Sequence, residues 1–363
     1  MKAKVKAQEF ASILHRACAI ASKKHATIMP ILSHLLVRTK DSALEITGTD
    51  LECTYIGLCP AEVEEGGEVA LPATQLFQIV KSVEAEEIPL YQRNNKFQIA
   101  TKKSRFSLVT IDPDDFPTIK VPEGLKTVTV PLDELTDAMA MVMPCTGADD
   151  TDYIVRNILC ERRDEGLRFV ATDRTKLACA LVRVKVPDEF PGRSLFSKDV
   201  CRVLSILKTQ EVSIGFNKEM GVVEAGSEKV IFRLISEPYP EIEEIINARK
   251  PYRVEIDAKR LVGALNRLAI MKPGAIKLTF EKEKLSLYCS ETSTGEAYEE
   301  ISIKSGPDQP QGFKVAANII QRLLSPLYCN SVFLSFSCPE EPCIITSADV
   351  PDYLSVFMPV IEA

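Results

Sequence analysis

Hydrophobic positions along the chain follow two rhythms, and the change from one to the other recurs six times. A short run with period-two alternation gives way, after one or two small or polar residues, to a stretch with period 3.6. The pattern predicts strands at 4–8, 68–72, 127–131, 194–196, 252–256 and 313–315. They lead into helices at 9–21, 73–83, 132–143, 197–207, 257–269 and 316–327. The starts are spaced by roughly 60 residues, longer than the usual solenoid periods. Apolar stripes mark the helices: Phe10, Ile13, Leu14, Ala17 and Ala21 in the first; Leu135, Met139, Val142 and Met143 in the third; Val200, Val203, Leu204 and Leu207 in the fourth. Leu261, Leu265 and Leu268 mark the fifth, and Ile319, Ile320, Leu323, Leu324 and Leu327 the sixth. Each stripe calls for a packing partner. Ser197 and Asp257 suit N-caps, Pro72 and Pro131 sit at or just before a first turn, and Glu9, Asp133, Glu134, Asp199 and Asp257 complement the helix dipole.

Further strand-like runs follow each helix, at 34–38, 43–47, 96–100, 106–109, 167–170, 212–216, 276–280, 284–288 and 332–336. One strand, one helix and about three more strands per unit read as an α+β fold of antiparallel sheets, with each helix covering one sheet face. Two stretches break the rhythm. Residues 112–122 are rich in Pro and Asp, and residues 237–251 in Pro and Glu. As linkers they divide the chain into three like domains, 1–122, 123–250 and 251–363.

Composition narrows the function classes. Of 363 residues, 45% are hydrophobic and 26% charged, ordinary for a globular protein with a sizeable core. No apolar run is long enough to span a membrane, and the opening Met1-Lys2-Ala3-Lys4-Val5-Lys6 lacks the apolar core of a signal peptide, so a cytosolic, non-membrane protein is expected. Eleven Cys occur without a CxxC pair and with only three His, which predicts small buried hydrophobes in a reducing compartment, with no metal site and no cofactor. A net charge of −7 argues against holding nucleic acid by broad neutralisation. Any basic surface must be local.

Five motifs, in order along the chain, carry a family resemblance. They are Met29-Pro30-Ile31-Leu32-Ser33-His34-Leu35-Leu36, Leu44-Glu45-Ile46-Thr47-Gly48-Thr49-Asp50-Leu51-Glu52, Ser104-Arg105-Phe106-Ser107-Leu108 followed by Asp115-Phe116-Pro117, Val170-Ala171-Thr172-Asp173 with Leu177-Ala178, and the closing Val356-Phe357-Met358-Pro359-Val360. On the sixfold repeat, these resemble the bacterial DNA polymerase III beta subunit, the beta sliding clamp. The resemblance implies a DNA-clamp fold of three similar domains, sheets outside and helices lining a ring. It implies a homodimer closed head to tail around double-stranded DNA, opened by a clamp loader. DNA polymerases and repair proteins would dock clamp-binding peptides in a pocket, and no residue would be catalytic.

Position by position, the resemblance places Arg16, Lys23, Lys24, His25, Thr74, Lys81, Asp149, Tyr153, Lys198, Arg202, Lys259, Arg260 and Arg267 toward DNA. Lys208, Lys272 and Arg322 add to the basic groups at helices, whereas acid concentrates in loops. The pocket would comprise Val155, Thr172, Arg174, Thr175, Lys176, Leu177, Pro240, Glu244, Ile245, Val356, Phe357, Met358, Pro359 and Val360. Arg105, Phe106 and Leu108 would meet Ile270 and Met271 of the second copy.

The chain departs from the family at several of these places. His25 and Thr74 stand where Arg can occur, and Asp149 where Gln can. Arg174-Thr175-Lys176 replaces Gly-His-Arg, and Glu244 stands where Arg is common. Weaker DNA contact and an altered partner specificity are therefore expected, as in a second clamp copy with a dedicated polymerase. Two rivals remain. One is a clamp-fold scaffold that never loads on DNA. The other is an enzyme using Asp50 and Asp173, but their recurrence in two repeats points to turn roles, and no nucleophile elbow, P-loop or HExxH occurs.

Overall fold

The structure, a computed structural model, describes every residue except 22–28, 94, 102, 118, 148–151, 292–294 and 361–363. Its helices in chain order are α1 (Ala7–Ile20), α2 (Ala73–Ser82), α3 (Leu132–Val142), α4 (Tyr153–Arg156), α5 (Asp199–Leu204), α6 (Glu243–Ile246), α7 (Ala258–Leu268) and α8 (Ile319–Leu324). All six strand-to-helix junctions form: strands Lys2–Lys6, Glu68–Pro72, Thr127–Pro131, Arg193–Ser197, Tyr252–Asp257 and Gln311–Ala316 run into α1, α2, α3, α5, α7 and α8. Asp257 caps α7 as expected, its Oδ1 accepting from the Arg260 amide at 2.8 Å.

The fourth and sixth helices are shorter than their apolar stripes. Ser197, the expected start of the fourth helix, ends a strand, paired with Asn157. Ala316 likewise pairs with Ala275. At the far ends the amides of Leu207 and Leu327 bond three residues back, to Leu204 and Leu324, so the last turn tightens out of the α geometry. Pro326 also removes a donor there.

The chain forms two compact units: residues 1–133, 187–191 and 199–236 in one, and 134–186, 192–198 and 237–363 in the other. Residues 123–250 contribute to both. In the first unit the described strands join one 12-stranded antiparallel sheet. The 13-residue strand Cys53–Glu65 is its organiser. Its first half pairs with Glu228–Arg233, its second half with Lys2–Lys6, and its opposite edge with Ala43–Thr49. Helices α1, α2 and α5 pack together over this sheet. Phe10, Leu14 and Ala17 of α1 and Leu76 and Val80 of α2 are buried there, each large side chain contributing about 1.5–3 kcal/mol.

The second unit holds an eight-stranded and a four-stranded antiparallel sheet. Four phenylalanines join their inner faces. Phe280 stacks at 4.6 Å on Phe336, and Phe313 lies 5.5 Å from Phe336 and 6.0 Å from Phe357. Helix α7 packs against α8 and the strand Gly295–Ser302.

Candidate functional site

Strand Gly166–Thr172 turns back into strand Lys176–Arg183 through a tight polar turn. Thr172 Oγ1 donates to the Lys176 carbonyl (2.8 Å) and accepts from the Arg174 amide (3.0 Å). Asp173 Oδ1 accepts from the amides of Thr175 (3.0 Å) and Lys176 (2.9 Å). Arg174 sits at φ +71°, a left-handed conformation. The same turn is built at Thr49-Asp50. There Thr49 bonds the Cys53 carbonyl and the Leu51 amide, Asp50 accepts from the amides of Glu52 and Cys53, and Leu51 has φ +79°. Both aspartates thus serve turn amides, the structural role their recurrence predicts. Among the described residues, no group of three or more His, Cys, Asp or Glu is placed to hold a metal ion. No helix there is long and apolar enough to cross a membrane.

Backbone pairing brings most of the expected pocket together. Leu177 pairs with Val356, and the Met358 amide donates to the Thr175 carbonyl at 2.9 Å. The Val360 amide donates to the Lys314 carbonyl at 2.8 Å. The Val155 carbonyl accepts from the Gly147 amide at 2.6 Å. A Cβ on Gly147 would lie 3.1 Å from the Val155 side chain and 3.6 Å from Asp173, which brings Val155 against the turn. Val155, Thr172, Leu177, Val356 and Pro359 are buried, Met358 is half-buried, and Arg174, Thr175, Pro240, Glu244, Ile245 and Val360 are exposed.

Two expected members are corrected. Phe357 is fully enclosed in the phenylalanine core, so it lines no groove. Lys176 is buried against the Asp173 carboxylate and is no open rim charge. Burial alone would raise the Asp173 carboxyl; hydrogen bonds from Lys176 and Thr175 outweigh it and hold the group below its ordinary range. Arg174 reaches Asp152 at 2.5 Å, and this hydrogen bond holds the Asp152 carboxyl low as well.

Sequence reasoning missed what fastens the segment carrying Pro240 and Ile245. Glu161, with a side chain only 3% exposed, accepts from Arg163 (3.0 Å), Arg168 (2.7 Å) and Arg193 (2.9 Å). Arg163 and Arg168 also hold Glu243, and Arg193 holds Glu241 at 2.8 Å. The Tyr153 hydroxyl donates to the Pro238 carbonyl at 2.9 Å. Residues 237–247 are thus strapped to the sheet mainly by side chains. Three acids and three bases balance there, drawn from three separate stretches, 161–168, 193 and 241–243, so no local pattern shows the whole.

The expected DNA-facing set divides. Lys23, Lys24, His25 and Asp149 lie outside the described residues. Arg16 is corrected: it is 5% exposed, and its guanidinium is neutralised by Glu228, so it presents no charge to a ligand. Thr74 is half-buried on α2, and the Tyr153 hydroxyl is engaged by the Pro238 carbonyl. Lys198 is half-buried and donates to the Gly147 carbonyl. Arg202 pairs with Asp199 (2.8 Å), and Arg267 grips Glu299 through two bonds of 2.6 and 3.0 Å. Among the described residues Lys81, Lys259 and Arg260 are exposed and free of ion pairs, as are Lys208, Lys272 and Arg322.

Of the expected seam residues, Arg105, Phe106 and Leu108 lie on the edge strand Arg105–Val109 of the first unit's sheet, the two apolar ones half-buried. Ile270 is 75% exposed and Met271 half-buried, in a short turn after α7 beside the edge strand Gly295–Ser302. Val109, 72% exposed, was not anticipated; its signal was an apolar residue on the polar side of a period-two strand.

Comparison with known proteins agrees with this geometry. Residues 1–120 match the family described as DNA polymerase III beta subunit, N-terminal domain. The beta sliding clamp of Pseudomonas aeruginosa is 25% identical over 341 residues, covering 92% of each chain. Crystal structures of the DNA polymerase III beta subunit from Pseudomonas aeruginosa and of the DNA polymerase sliding clamp from Bacillus subtilis each superpose over all of both chains with a TM-score of 0.94, at 23% and 18% identity. Residues 1–120 thus match the N-terminal domain of the DNA polymerase III beta subunit, and the chain as a whole is similar to the beta sliding clamps.

Proposed function

We propose that two copies of this chain close head to tail into a ring around duplex DNA and act there as a sliding clamp. Each copy supplies three like segments, 1–122, 123–250 and 251–363, with the helices turned inward. The chain performs no chemistry; it tethers DNA polymerases and repair proteins, which dock a short peptide in the groove around Val155, Leu177, Val356 and Met358. A clamp loader opens the ring. The observation that carries this reading is the strand-to-helix unit, formed six times along the chain in a fold that matches clamps from end to end.

Enclosure also accounts for the charge. A protein of net charge −7 is poorly suited to gripping phosphates broadly. A ring needs only a few weak, sequence-blind contacts, and Lys81, Lys259 and Arg260 are free to make them. Two free sheet edges support the pairing of copies. One carries Arg105 and the exposed Val109; the other carries Glu296 and Glu300 beside Ile270. Unpaired edges of opposite charge invite strand pairing between copies.

The test is retention on nicked circular DNA. Loader-dependent retention that is lost when the circle is linearised is expected. Retention that survives linearisation, or none with the cognate loader, contradicts the proposal.

A further inference from the structure

The groove around Val155, Leu177, Val356 and Met358 has a charge character of its own. Three of its expected residues are ionisable: Arg174, Lys176 and Glu244. Both bases are already satisfied from within the fold, Arg174 by Asp152 and Lys176 by Asp173. The arginines nearest the strap are occupied in the same way, by Glu161, Glu241 and Glu243. Glu244 is the exception. It is exposed in α6, and its carboxylate has no hydrogen bond or ion pair among the described residues. It stands directly beside Ile245, itself 39% exposed.

We propose that Glu244 determines specificity, selecting partner peptides that carry a Lys or Arg beside their apolar anchors; this role rests on the groove being the docking site. An unbalanced carboxylate next to an apolar contact attracts a base and repels an acid on the same peptide. The strap strengthens the discrimination. Ile242 is buried, and Glu241 and Glu243 on either side of it are fixed by arginines, so the backbone that carries Glu244 is held in place before a peptide arrives.

Peptides sharing the same apolar anchors, with Lys, Ala or Glu placed in turn at each flanking position, are titrated by fluorescence anisotropy against the full-length protein and its Glu244→Gln and Glu244→Arg variants. At the responsive position the Lys peptide binds about five-fold tighter than the Glu peptide at low salt. The gap narrows as salt rises, closes in Glu244→Gln and inverts in Glu244→Arg. Equal binding of Lys and Glu peptides at every position, or a preference unchanged in Glu244→Arg, overturns the role of Glu244 and leaves the groove standing. If no peptide binds while the protein still loads on circular DNA, the groove itself is overturned and the role of Glu244 with it.

Discussion

Arg16 and Glu228 stand 212 positions apart in the chain, yet their side chains meet inside one unit, with the Nε and Nη2 of the guanidinium 2.5 and 2.8 Å from the two carboxylate oxygens. The Tyr55 hydroxyl donates to the same carboxylate, its ring lying over Gly57, where a Cβ would come within 2.5 Å of the hydroxyl. The pair ties α1 to the strand Glu228–Arg233 across the strand Cys53–Glu65. Both side chains are nearly enclosed, so removing one leaves the other charged and buried without a countercharge. Arg16→Ala or Glu228→Ala should cost about 3–5 kcal/mol in urea unfolding, and the joint change Arg16→Met with Glu228→Leu much less. A loss below about 1 kcal/mol for either single change would show that the pair is solvated.

The paired turns give a prediction of opposite sign. Leu51 and Arg174 occupy left-handed conformations that cost a residue with a Cβ about 1–2 kcal/mol. Leu51 is already partly exposed and buries little there. Leu51→Gly should therefore raise the melting temperature. Arg174→Gly should gain less, since it also gives up the pair with Asp152, worth about 0–1 kcal/mol at the surface. A drop in melting temperature for Leu51→Gly would mean that its side-chain contacts outweigh the backbone strain.

The buried cysteines are predicted to be chemically silent. Burial pushes the thiols of Cys18, Cys59, Cys179, Cys201 and Cys343 up to about 12, so little thiolate exists at pH 8. Cys338 is exposed. A thiol reagent should give one fast phase at pH 8, abolished in Cys338→Ser, with the enclosed thiols reacting only on unfolding. Fast labelling of Cys201 in the native protein would contradict its burial.

How much could be read ahead of the structure depends on the range of each signal. The six junctions were legible because the change of hydrophobic period is local. The strand Cys53–Glu65 was not, because Gly57, Cys59 and Pro60 interrupt any β-branched alternation and its length is set by two partners distant in sequence. Arg16 looked like a free base on a helix; only folding brings Glu228 to it. Phe357 lies within a motif shared with the family's pocket, but the alternation of its strand turns that ring inward. The motifs named Leu177 and Val356, which strand pairing brings side by side, whereas the strap around Glu161 draws on residues 161–168, 193 and 241–243, and no window of sequence contains it.

The seam between copies can be tested from both sides. Ile270 is exposed in the isolated chain, and Met271 beside it is half-buried. Charging an exposed position should disturb the folded monomer by no more than about 0.5 kcal/mol. In the proposed ring the same positions lie in an apolar contact, where a buried unpaired charge costs several kcal/mol. Ile270→Asp with Met271→Asp should thus convert the dimer to monomers in sedimentation velocity, with the far-ultraviolet circular dichroism unchanged. Val109→Asp, on the opposite edge strand, should do the same independently. A dimer that persists through both sets of changes would place the contact elsewhere on the molecule. Dissociation by only one set would mean that the two edges do not face each other.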